Sequence, residues 1–253
     1  MSSGSERPVA LITGVGRTVS IGTAVAEALA ADGWNIGFVH WDPYDDRMPY
    51  GREPDAIAAI TARLHACGAR VCDVAANLED TAVPVRIFET VSATLGAPMA
   101  LIMSHCESVD SGILDTSIES FDRHFAVNAR ASWLLIREFA RHYRGAFGSG
   151  RIVALTSDHT VNNMPYGASK GALDRLTIAA AQELRHLGVT ANVVNPGPVN
   201  TGWMPPELEA EIIAATPLGR LGQPSDCANL VRFLCSPAGQ WVNGQLMHTN
   251  GGL

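Results

Sequence analysis

Charge of either sign is scarce in this sequence, and positive charge is the scarcer of the two. Of the 253 residues 17% are charged, with 18 Lys and Arg against 25 Asp and Glu, which gives a formal net charge of −7 at pH 7. The basic residues are scattered singly, whereas nucleic-acid binders carry a basic stripe and membrane-binding faces a basic cluster. We therefore expect neither a nucleic acid nor a membrane among the partners of this protein.

The sequence also lacks the marks of several other protein classes. The five cysteines contain no C-x-x-C pair and the eight histidines no H-E-x-x-H motif, so we expect no metal site. The N-terminal segment, MSSGSERP, lacks the apolar core of a secretory signal, and no uninterrupted apolar run is long enough to span a bilayer. These absences predict a cytoplasmic protein whose cysteines serve as small apolar residues.

What the sequence does contain is an alternation of short apolar runs with longer amphipathic segments. Hydrophobic residues make up 47% of the chain, enough to form a buried core. The predicted strands are at 9–12, 36–39, 69–74, 99–103, 151–156, 189–194 and 245–249. The predicted helices are at 20–31, 53–67, 79–95, 118–143, 165–187, 207–215 and 224–234. The polar segment 41–52 is predicted to be a loop.

The predicted strands are short and do not alternate polar with apolar residues, so we expect both of their faces to be buried. This pattern is typical of a parallel sheet covered by helices. With right-handed crossovers it predicts an α/β fold, a single doubly wound parallel sheet (Rossmann-type) of about seven strands with helices on both faces. No linker or repeat divides the chain, so residues 1–253 are predicted to form one domain.

A glycine-rich turn, TGVGRTVSIG at residues 13–22, connects the first predicted strand to the first predicted helix. Glycines let the backbone approach a pyrophosphate, and the free N–H groups of a helix N-terminus attract it. Ser20 is placed to cap that helix and to donate to a phosphate. We predict that the turn binds a dinucleotide through Gly14, Arg17, Ser20 and Ile21. The alternative is an ordinary strand-to-helix turn, because the strict G-x-G-x-x-G spacing is absent.

The end of the second predicted strand is the place where a carboxylate would select NAD(H) by accepting from the ribose 2′-hydroxyl. His40, followed by Trp41, occupies that place instead, and we predict that both contact the cofactor. Arg17 has the reach to bind a 2′-phosphate, so the sequence favours NADP(H) over NAD(H). The alternative for Arg17 is a solvated loop charge. Three carboxylates weaken the preference: Asp42, Asp45 and Asp46.

Asp73 and Val74 end the third predicted strand. At the carboxyl edge of a parallel sheet, Asp73 is placed to accept from the adenine amino group while Val74 packs on the ring. An equally supported alternative is that Asp73 caps the helix that follows.

The candidate for chemistry is Tyr166, which precedes Lys170 by four residues at the start of a predicted helix. Side chains at i and i+4 share a helix face, and a cation beside a phenol lowers its pKa from the ordinary value of about 10. Lys170 would thus make Tyr166 a general acid/base. An exposed helical pair is the alternative. The setting favours chemistry, because Ser157 ends the preceding strand and Asn128 lies inside a helix, where asparagine is unfavourable.

In this order and spacing, these motifs resemble the short-chain dehydrogenase/reductase family from residue 9 to residue 252. The matching segments are Thr13-Gly14, Asp73-Val74, Val127-Asn128, GRIVALTS at 150–157, Tyr166-x-x-x-Lys170, NPGPVNT at 195–201, PLGRLGQP at 217–224 and Asn250-Gly251-Gly252. The resemblance implies an oxidoreductase that transfers a hydride between a nicotinamide cofactor and a small carbonyl or alcohol substrate.

The resemblance also implies the parts of the site. Tyr166 would give a proton to the substrate carbonyl oxygen, and Ser157 would orient that oxygen. Lys170 would hold the nicotinamide ribose and lower the tyrosine pKa, while Asn128 would hold a water of the proton relay. Four residues after the sixth strand would position the carboxamide end of the cofactor: Pro196, Gly197, Val199 and Thr201.

Two further expectations follow from the resemblance. Residues 202–220 would form the variable segment that covers the substrate. The two long helices, 118–143 and 165–187, would join the subunits of a homo-oligomer, a dimer or a tetramer.

The glycine-rich turn and the catalytic loop depart from the family pattern. The turn is two residues longer than usual, as in enoyl reductases of the same superfamily, so an enoyl-type C=C reductase is an alternative function. Those enzymes usually place their Tyr and Lys seven residues apart, and the shorter spacing of Tyr166 and Lys170 favours carbonyl chemistry. Only eight residues separate Ser157 from Tyr166, which predicts a tight loop.

The motif after the fourth strand departs as well, because Met103-Ser104-His105-Cys106 stands where the family has N-N-A-G. We count Ser104 among the cofactor-binding residues. His105 and Cys106 either line the cofactor site or pack at the strand end, and packing is the favoured interpretation. A dinucleotide-binding sensor without turnover is a further alternative, against which the complete catalytic tetrad argues.

Overall fold

The computed structural model describes residues 7–253. Residues 1–6, part of the segment in which we expect no secretory signal, lie outside the described residues. The strands are β1 Val9–Thr13, β2 Asn35–His40, β3 Val71–Ala75, β4 Ala100–Met103, β5 Arg151–Leu155, β6 Thr190–Asn195 and β7 Leu246–His248. They form one parallel sheet in the order β3-β2-β1-β4-β5-β6-β7.

Helices connect these strands. They are α1 Ile21–Ala31, α2 Asp42–Arg47, α3 Ala56–Ala66, α4 Val83–Leu95, α5 Ile118–His124, α6 Ala131–His142, α7 Met164–Glu183, α8 Pro206–Ala215 and α9 Pro224–Cys235. A π-helical turn, Phe125–Arg130, joins α5 to α6, and single 3-10 turns follow α7 and α9. Among residues 7–253, no helix combines the length and the hydropathy that crossing a membrane requires.

The sheet is buried on both faces, as its unalternating strands predict. Successive side chains of a strand point to opposite faces: Leu11 packs with residues of α4, α6 and α7, whereas Ile12 packs with residues of α1, α3 and α9. Both side chains are fully buried. The predicted doubly wound fold is therefore confirmed.

The carboxyl ends of the central strands lie side by side and position the site. Thr13 of β1 is in register with Met103 of β4, and Met103 in turn with Ala154 of β5. The residues that follow these strands, which are the glycine-rich turn, residues 104–107 and Ser157, therefore meet at one edge of the sheet.

The structure differs from the sequence prediction in three elements. Segment 41–52 contains α2, which Pro43 in the first turn favours. The predicted helix 118–143 is divided by the π-helical turn. Strand β3 does not end at Asp73 and Val74, because Ala75 still pairs with His40.

Candidate active site

Tyr166 and Lys170 lie on the first two turns of α7, directly after its N-terminus at Met164. The Lys170 Nζ is 5.7 Å from the centroid of the Tyr166 ring. Lys170 is buried, and its Nζ donates to the carbonyl oxygens of Leu155 at 2.9 Å and of His105 at 3.4 Å. The lysine is thus anchored to the ends of two neighbouring strands, β5 and β4.

The phenol of Tyr166 lies beside Ser157 at the end of β5. Burial raises the pKa of Tyr166, and a hydrogen bond from the Ser157 hydroxyl works against that rise. The direction is opposite to the one expected from Lys170, whose own pKa is lowered by burial and whose amine is held by carbonyl oxygens. A phenol with a raised pKa stays protonated, so the arrangement is that of a proton donor.

Asn128 lies on the π-helical turn, a feature that is frequent at functional sites. Its Oδ1 accepts from the Glu107 N–H at 2.7 Å, while its Nδ2 donates to the Glu107 carbonyl at 2.8 Å and to Ser169 Oγ at 2.9 Å. Ser169 in turn donates to the carbonyl of Tyr166 at 2.8 Å. The four residues of the predicted tetrad are therefore brought together, and the Asn128 carboxamide ties residue 107 to α7. That Asn128 holds a relay water stays a prediction.

The loop from Ser157 to Tyr166 is tight, and it packs directly on α7. A Cβ on Gly167 would lie 2.7 Å from the Thr160 Cα and 2.8 Å from the His159 carbonyl oxygen, so only glycine fits there. Asn162 adopts a left-handed conformation with φ of 62°, which asparagine tolerates.

The His105 side chain packs at the strand end and also lines the groove beside it, so both interpretations of this residue describe part of its position. Its Nδ1 is 2.6 Å from Thr13 Oγ1, and its Nε2 is 3.1 Å from the carbonyl oxygen of Val127. Burial lowers the pKa of His105 to about 3, so the ring is neutral, with its proton on Nε2. The His105 ring thus links β1 to the π-helical turn. The same residue accepts from Lys170 through its carbonyl oxygen.

The glycine-rich turn packs against the same loop. Gly14 has a φ of 75°, and a Cβ on it would lie 2.6 Å from the Ser104 carbonyl oxygen. Ser20 caps α1 as predicted, with its Oγ accepting from the Thr23 N–H at 3.0 Å. The turn therefore contacts the strand ends so closely that no side chain fits at residue 14. Ser20 and Ile21, at the N-terminus of α1, line the groove beside it, where the helix end can attract an anion.

A groove of about 500 Å³ runs over this turn, a size suited to a cofactor. Predicted cofactor residues in its wall are Gly14, Arg17, Ser20, Ile21, His40, Trp41, Ser104 and Thr201. Wall residues that the sequence reasoning missed are Tyr44, Arg47, Tyr50, Asn77, Leu78, Glu107 and Val127. Also in the wall are Asp45, considered only for its charge, and His105 and Cys106, for which lining the cofactor site was the less favoured interpretation. The glycine cradle and the open helix end fit a dinucleotide. Among residues 7–253, no cluster of potential metal ligands accompanies the groove.

The predicted adenine contacts lie outside this groove. Because β3 continues to Ala75, Asp73 is a mid-strand residue that lines a neighbouring pocket. The groove is lined instead by Asn77 and Leu78, which follow the strand end. The two apolar residues after Val74 are the sequence signal that the strand continues. That Asp73 and Val74 contact adenine stays a prediction, and the geometry favours Asn77 and Leu78.

The turn after β6 is constrained by its own side chains. The N–H of Gly197 donates to Asn195 Oδ1 at 3.0 Å, and Val199 is buried, in a bridge with Gly222. Pro196 precedes this turn, and Thr201 reaches the groove wall. The segment 202–220 then begins beside the glycine-rich turn, since a Cβ on Gly202 would lie 3.7 Å from Arg17.

Helix α2 contributes side chains that cross the groove. The Arg47 guanidinium donates to both carboxylate oxygens of Glu107, at 3.1 and 2.9 Å. The Tyr44 hydroxyl lies beside the Cys106 thiol. The α2 side of the groove is therefore joined to the loop after β4 by two side-chain contacts.

Comparisons with known proteins match the chain along nearly its whole length. A family model described as Enoyl-(Acyl carrier protein) reductase matches residues 14–253. The chain is 35% identical to an uncharacterized oxidoreductase, YjdA, of Bacillus subtilis, covering 99% of this chain and 98% of that protein. It is 34% identical to an NADPH-dependent aldehyde reductase-like protein, chloroplastic, of Arabidopsis thaliana, covering 96% and 93% respectively.

Solved structures show the same likeness. A blue fluorescent protein from a metagenomic library, in complex with NADPH, has a TM-score of 0.86 at 28% identity, with 97% of each chain covered. A short chain dehydrogenase from Burkholderia cenocepacia, in complex with NADP, has a TM-score of 0.85 at 27% identity, again with 97% of each chain covered. The likeness therefore extends to the complete fold and not only to a motif.

Proposed function

Because this chain is a member of the short-chain dehydrogenase/reductase family, we propose that it reduces a carbonyl group, or oxidises the corresponding alcohol, with a nicotinamide dinucleotide. The observation that carries the proposal is the Tyr166 phenol, placed beside Ser157 at the carboxyl edge of the sheet, with Lys170 buried one turn further along α7.

Each polar residue of the site has a role in this proposal. The cofactor supplies the hydride when it is bound. Tyr166, kept protonated by its burial, donates a proton to the carbonyl oxygen, and Ser157 donates a hydrogen bond that orients it. Lys170 presents its ammonium to the nicotinamide ribose from its anchor on β5 and β4. Asn128 keeps residue 107 and α7 in place.

The groove is the proposed site of the dinucleotide. The names of the Arabidopsis relative and of the two solved structures support NADP(H) as a form that it accepts. Arg17 is the residue from which the sequence favours NADP(H). Its guanidinium lies over the Tyr50 ring, 4.2 Å from the centroid. The carboxylates near it weaken the preference for NADP(H).

A second candidate function is enoyl-type reduction of an activated alkene. The long glycine-rich turn supports it, as does the description of the matching family model. The four-residue spacing of Tyr166 and Lys170 favours the carbonyl. Turnover of an enone to the saturated ketone, without turnover of the matching ketone, would establish this alternative.

We also propose that the protein is a homo-oligomer. One face of helix α7 exposes Ala168, Gly171, Arg175 and Ala179, and the three small residues among them permit close approach of a second helix. Light scattering at several concentrations tests this, and a monomer at all of them would contradict it.

The experiment that tests the function is Tyr166→Phe. We expect turnover on a panel of aldehydes and ketones to fall by about 10²- to 10⁴-fold, with dinucleotide affinity within about twofold of the wild type by fluorescence titration. The matched control is Tyr143→Phe, which removes a phenol hydroxyl bonded to Ala146 and Ser149 away from the site and leaves turnover unchanged. Undiminished turnover in Tyr166→Phe would refute the proposal.

A further inference from the structure

We infer that Asp45 of α2 binds the adenosine ribose and selects a dinucleotide with a free 2′-hydroxyl, NAD(H), over one with a 2′-phosphate, NADP(H). The inference rests on the proposed function, since it concerns the same groove. It reverses the preference that Arg17 favours when the sequence is considered alone.

The position of the Asp45 carboxylate is the first argument. Asp45 is 8% exposed and lies in the groove wall. Its Oδ2 is 3.1 Å from the point where a Cβ on Gly16 would lie, and the Cβ of His40 is 3.9 Å from the same point. The carboxylate is therefore next to both the glycine-rich turn and the end of β2. In dinucleotide-binding folds, the acidic residue that accepts from the ribose hydroxyl stands at the end of the second strand; Asp45 brings a carboxylate to the same region from α2.

Asp45 is also held with acceptor capacity to spare. Burial raises the pKa of Asp45, whereas the charge of Arg17 and the nearby Tyr50 hydroxyl favour its ionised form. An ionised carboxylate has about four lone-pair sites, so a ribose hydroxyl still finds an acceptor. Strand β2 ends with His40 and not with a carboxylate. Helix α2, which lies outside the sheet, supplies the carboxylate instead.

His40, at the end of β2, is engaged by other carboxylates. Its Nδ1 is 3.1 Å from Asp42 and its Nε2 is 3.8 Å from Asp73. The imidazole is buried between these two groups, so a phosphate approaching it would meet negative charge on either side.

The basic groups at this end of the groove are surrounded by carboxylates too. Arg52 is 3.4 Å from Asp42 and 3.8 Å from Asp46, and Arg47 is paired with Glu107. The charge of Arg17 acts to lower the pKa of both Asp45 and Glu53, so this arginine also lies near carboxylates. A 2′-phosphate adds almost two negative charges, and here it would lie against a buried carboxylate, where like charges repel strongly.

The test compares NADH with NADPH in the wild type and in Asp45→Asn, which keeps the shape of the side chain and removes its charge. We expect the wild type to bind NADH more tightly by fluorescence titration, and Asp45→Asn to lower the NADH/NADPH affinity ratio by about tenfold or more, as loss of a charged hydrogen bond predicts. The matched control, Asp122→Asn, changes an exposed carboxylate on α5 that is not in the groove wall and leaves the ratio within about twofold.

A second variant covers the case in which Asp45→Asn does not fold. Tyr50→Phe removes a hydroxyl that lies beside Asp45 and favours its ionised form, and we expect the ratio to fall by about two- to fivefold. A wild type that prefers NADPH, or variants of Asp45 and Tyr50 with an unchanged ratio, would overturn the inference. Binding with the expected preference but without turnover of any carbonyl would support the inference while overturning the proposed function. Binding of neither dinucleotide would overturn both.

Discussion

The site has two ends, which are built in different ways. The chemical end is the catalytic tetrad, none of whose residues is in the groove wall, and the adenosine end is the groove over the glycine-rich turn. At the chemical end, Lys170 is held by the main-chain carbonyls of Leu155 and His105. At the adenosine end, the contacts join one side chain to another, as in the pair of Arg47 and Glu107. Main-chain anchors move only with their strands, whereas side-chain contacts change with single substitutions. The proposed chemistry therefore depends on the fold, and the proposed choice of cofactor on residues that can be exchanged.

The two ends also use different cations. Lys170 is the only lysine among the 18 basic Lys and Arg residues of the chain, and it is at the chemical end; the adenosine end carries arginines. An arginine is always charged, whereas a lysine changes its pKa readily when it is buried. Burial lowers the pKa of Lys170, so its proton can take part in a relay.

The largest effect is expected at the chemical end, from Lys170→Met. The variant fills the same buried space and removes the ammonium from the ribose and from the vicinity of Tyr166. We expect turnover to fall by about 10²-fold or more, with the midpoint of thermal unfolding little changed. Steady-state kinetics and calorimetry measure the two quantities.

A spectroscopic control is available because the chain has one lysine. In protein labelled with ¹⁵N-lysine, a single ammonium resonance reports Lys170, and we expect it to titrate below the ordinary lysine range, in keeping with its lowered pKa. A titration in the ordinary range together with undiminished turnover of Lys170→Met would show that the two ends do not differ as described.

At the chemical end, the placement of Tyr166, Lys170 and Ser157 was predictable from the sequence because it is set locally. Tyr166 and Lys170 share a face by helical periodicity, and Ser157 is at a strand end that an apolar run reveals. The doubly wound fold was predictable for the same reason, since each strand is a short apolar run. The contact of Lys170 with His105 spans 65 residues, and the expected lowering of the Tyr166 pKa was wrong, because burial raises it.

The adenosine end was not predictable, because its contacts join positions distant in sequence. Arg47 and Glu107 are 60 residues apart, and nothing in the polar segment 41–52 indicates that α2 folds back over the groove. The end of β3 was misjudged as well. Because the strand continues to Ala75, the residue that lines the groove is Asn77 and not Asp73. His105 finds its partner Thr13 across 92 residues.

The second largest effect concerns His105, which connects the two ends. Its folded pKa of about 3 is below the ordinary value of about 6.5, so the unfolded chain binds the proton more readily. The contribution of the neutral ring to stability is complete above about pH 6.5 and is lost as pH falls toward 3. Between pH 6.5 and pH 5 we expect protonation of this histidine in the unfolded chain to lower the free energy of unfolding by about 2 kcal/mol.

His105→Gln removes the titration and keeps a side chain that hydrogen-bonds at that place. Chemical denaturation at pH 7, 6 and 5 should show a weaker loss of stability toward low pH than in the wild type. His186→Gln, an exposed histidine that bonds only its local backbone, is the control and keeps the wild-type dependence. An equally steep dependence in His105→Gln would assign the proton uptake to other groups.

The smallest effect is expected at the adenosine end, from Arg47→Gln. The Arg47 side chain is 42% exposed and that of Glu107 only 4%, so solvent weakens the pair, and its loss is worth about 1 kcal/mol or less. We expect the dissociation rate of the bound dinucleotide to rise by about two- to fivefold, with turnover at saturation unchanged. Stopped-flow displacement measures the rate, and Arg86→Gln, from an exposed pair with Asp80, is the control. If the rate does not rise, the Arg47–Glu107 pair stabilises α2 alone and does not retain the cofactor.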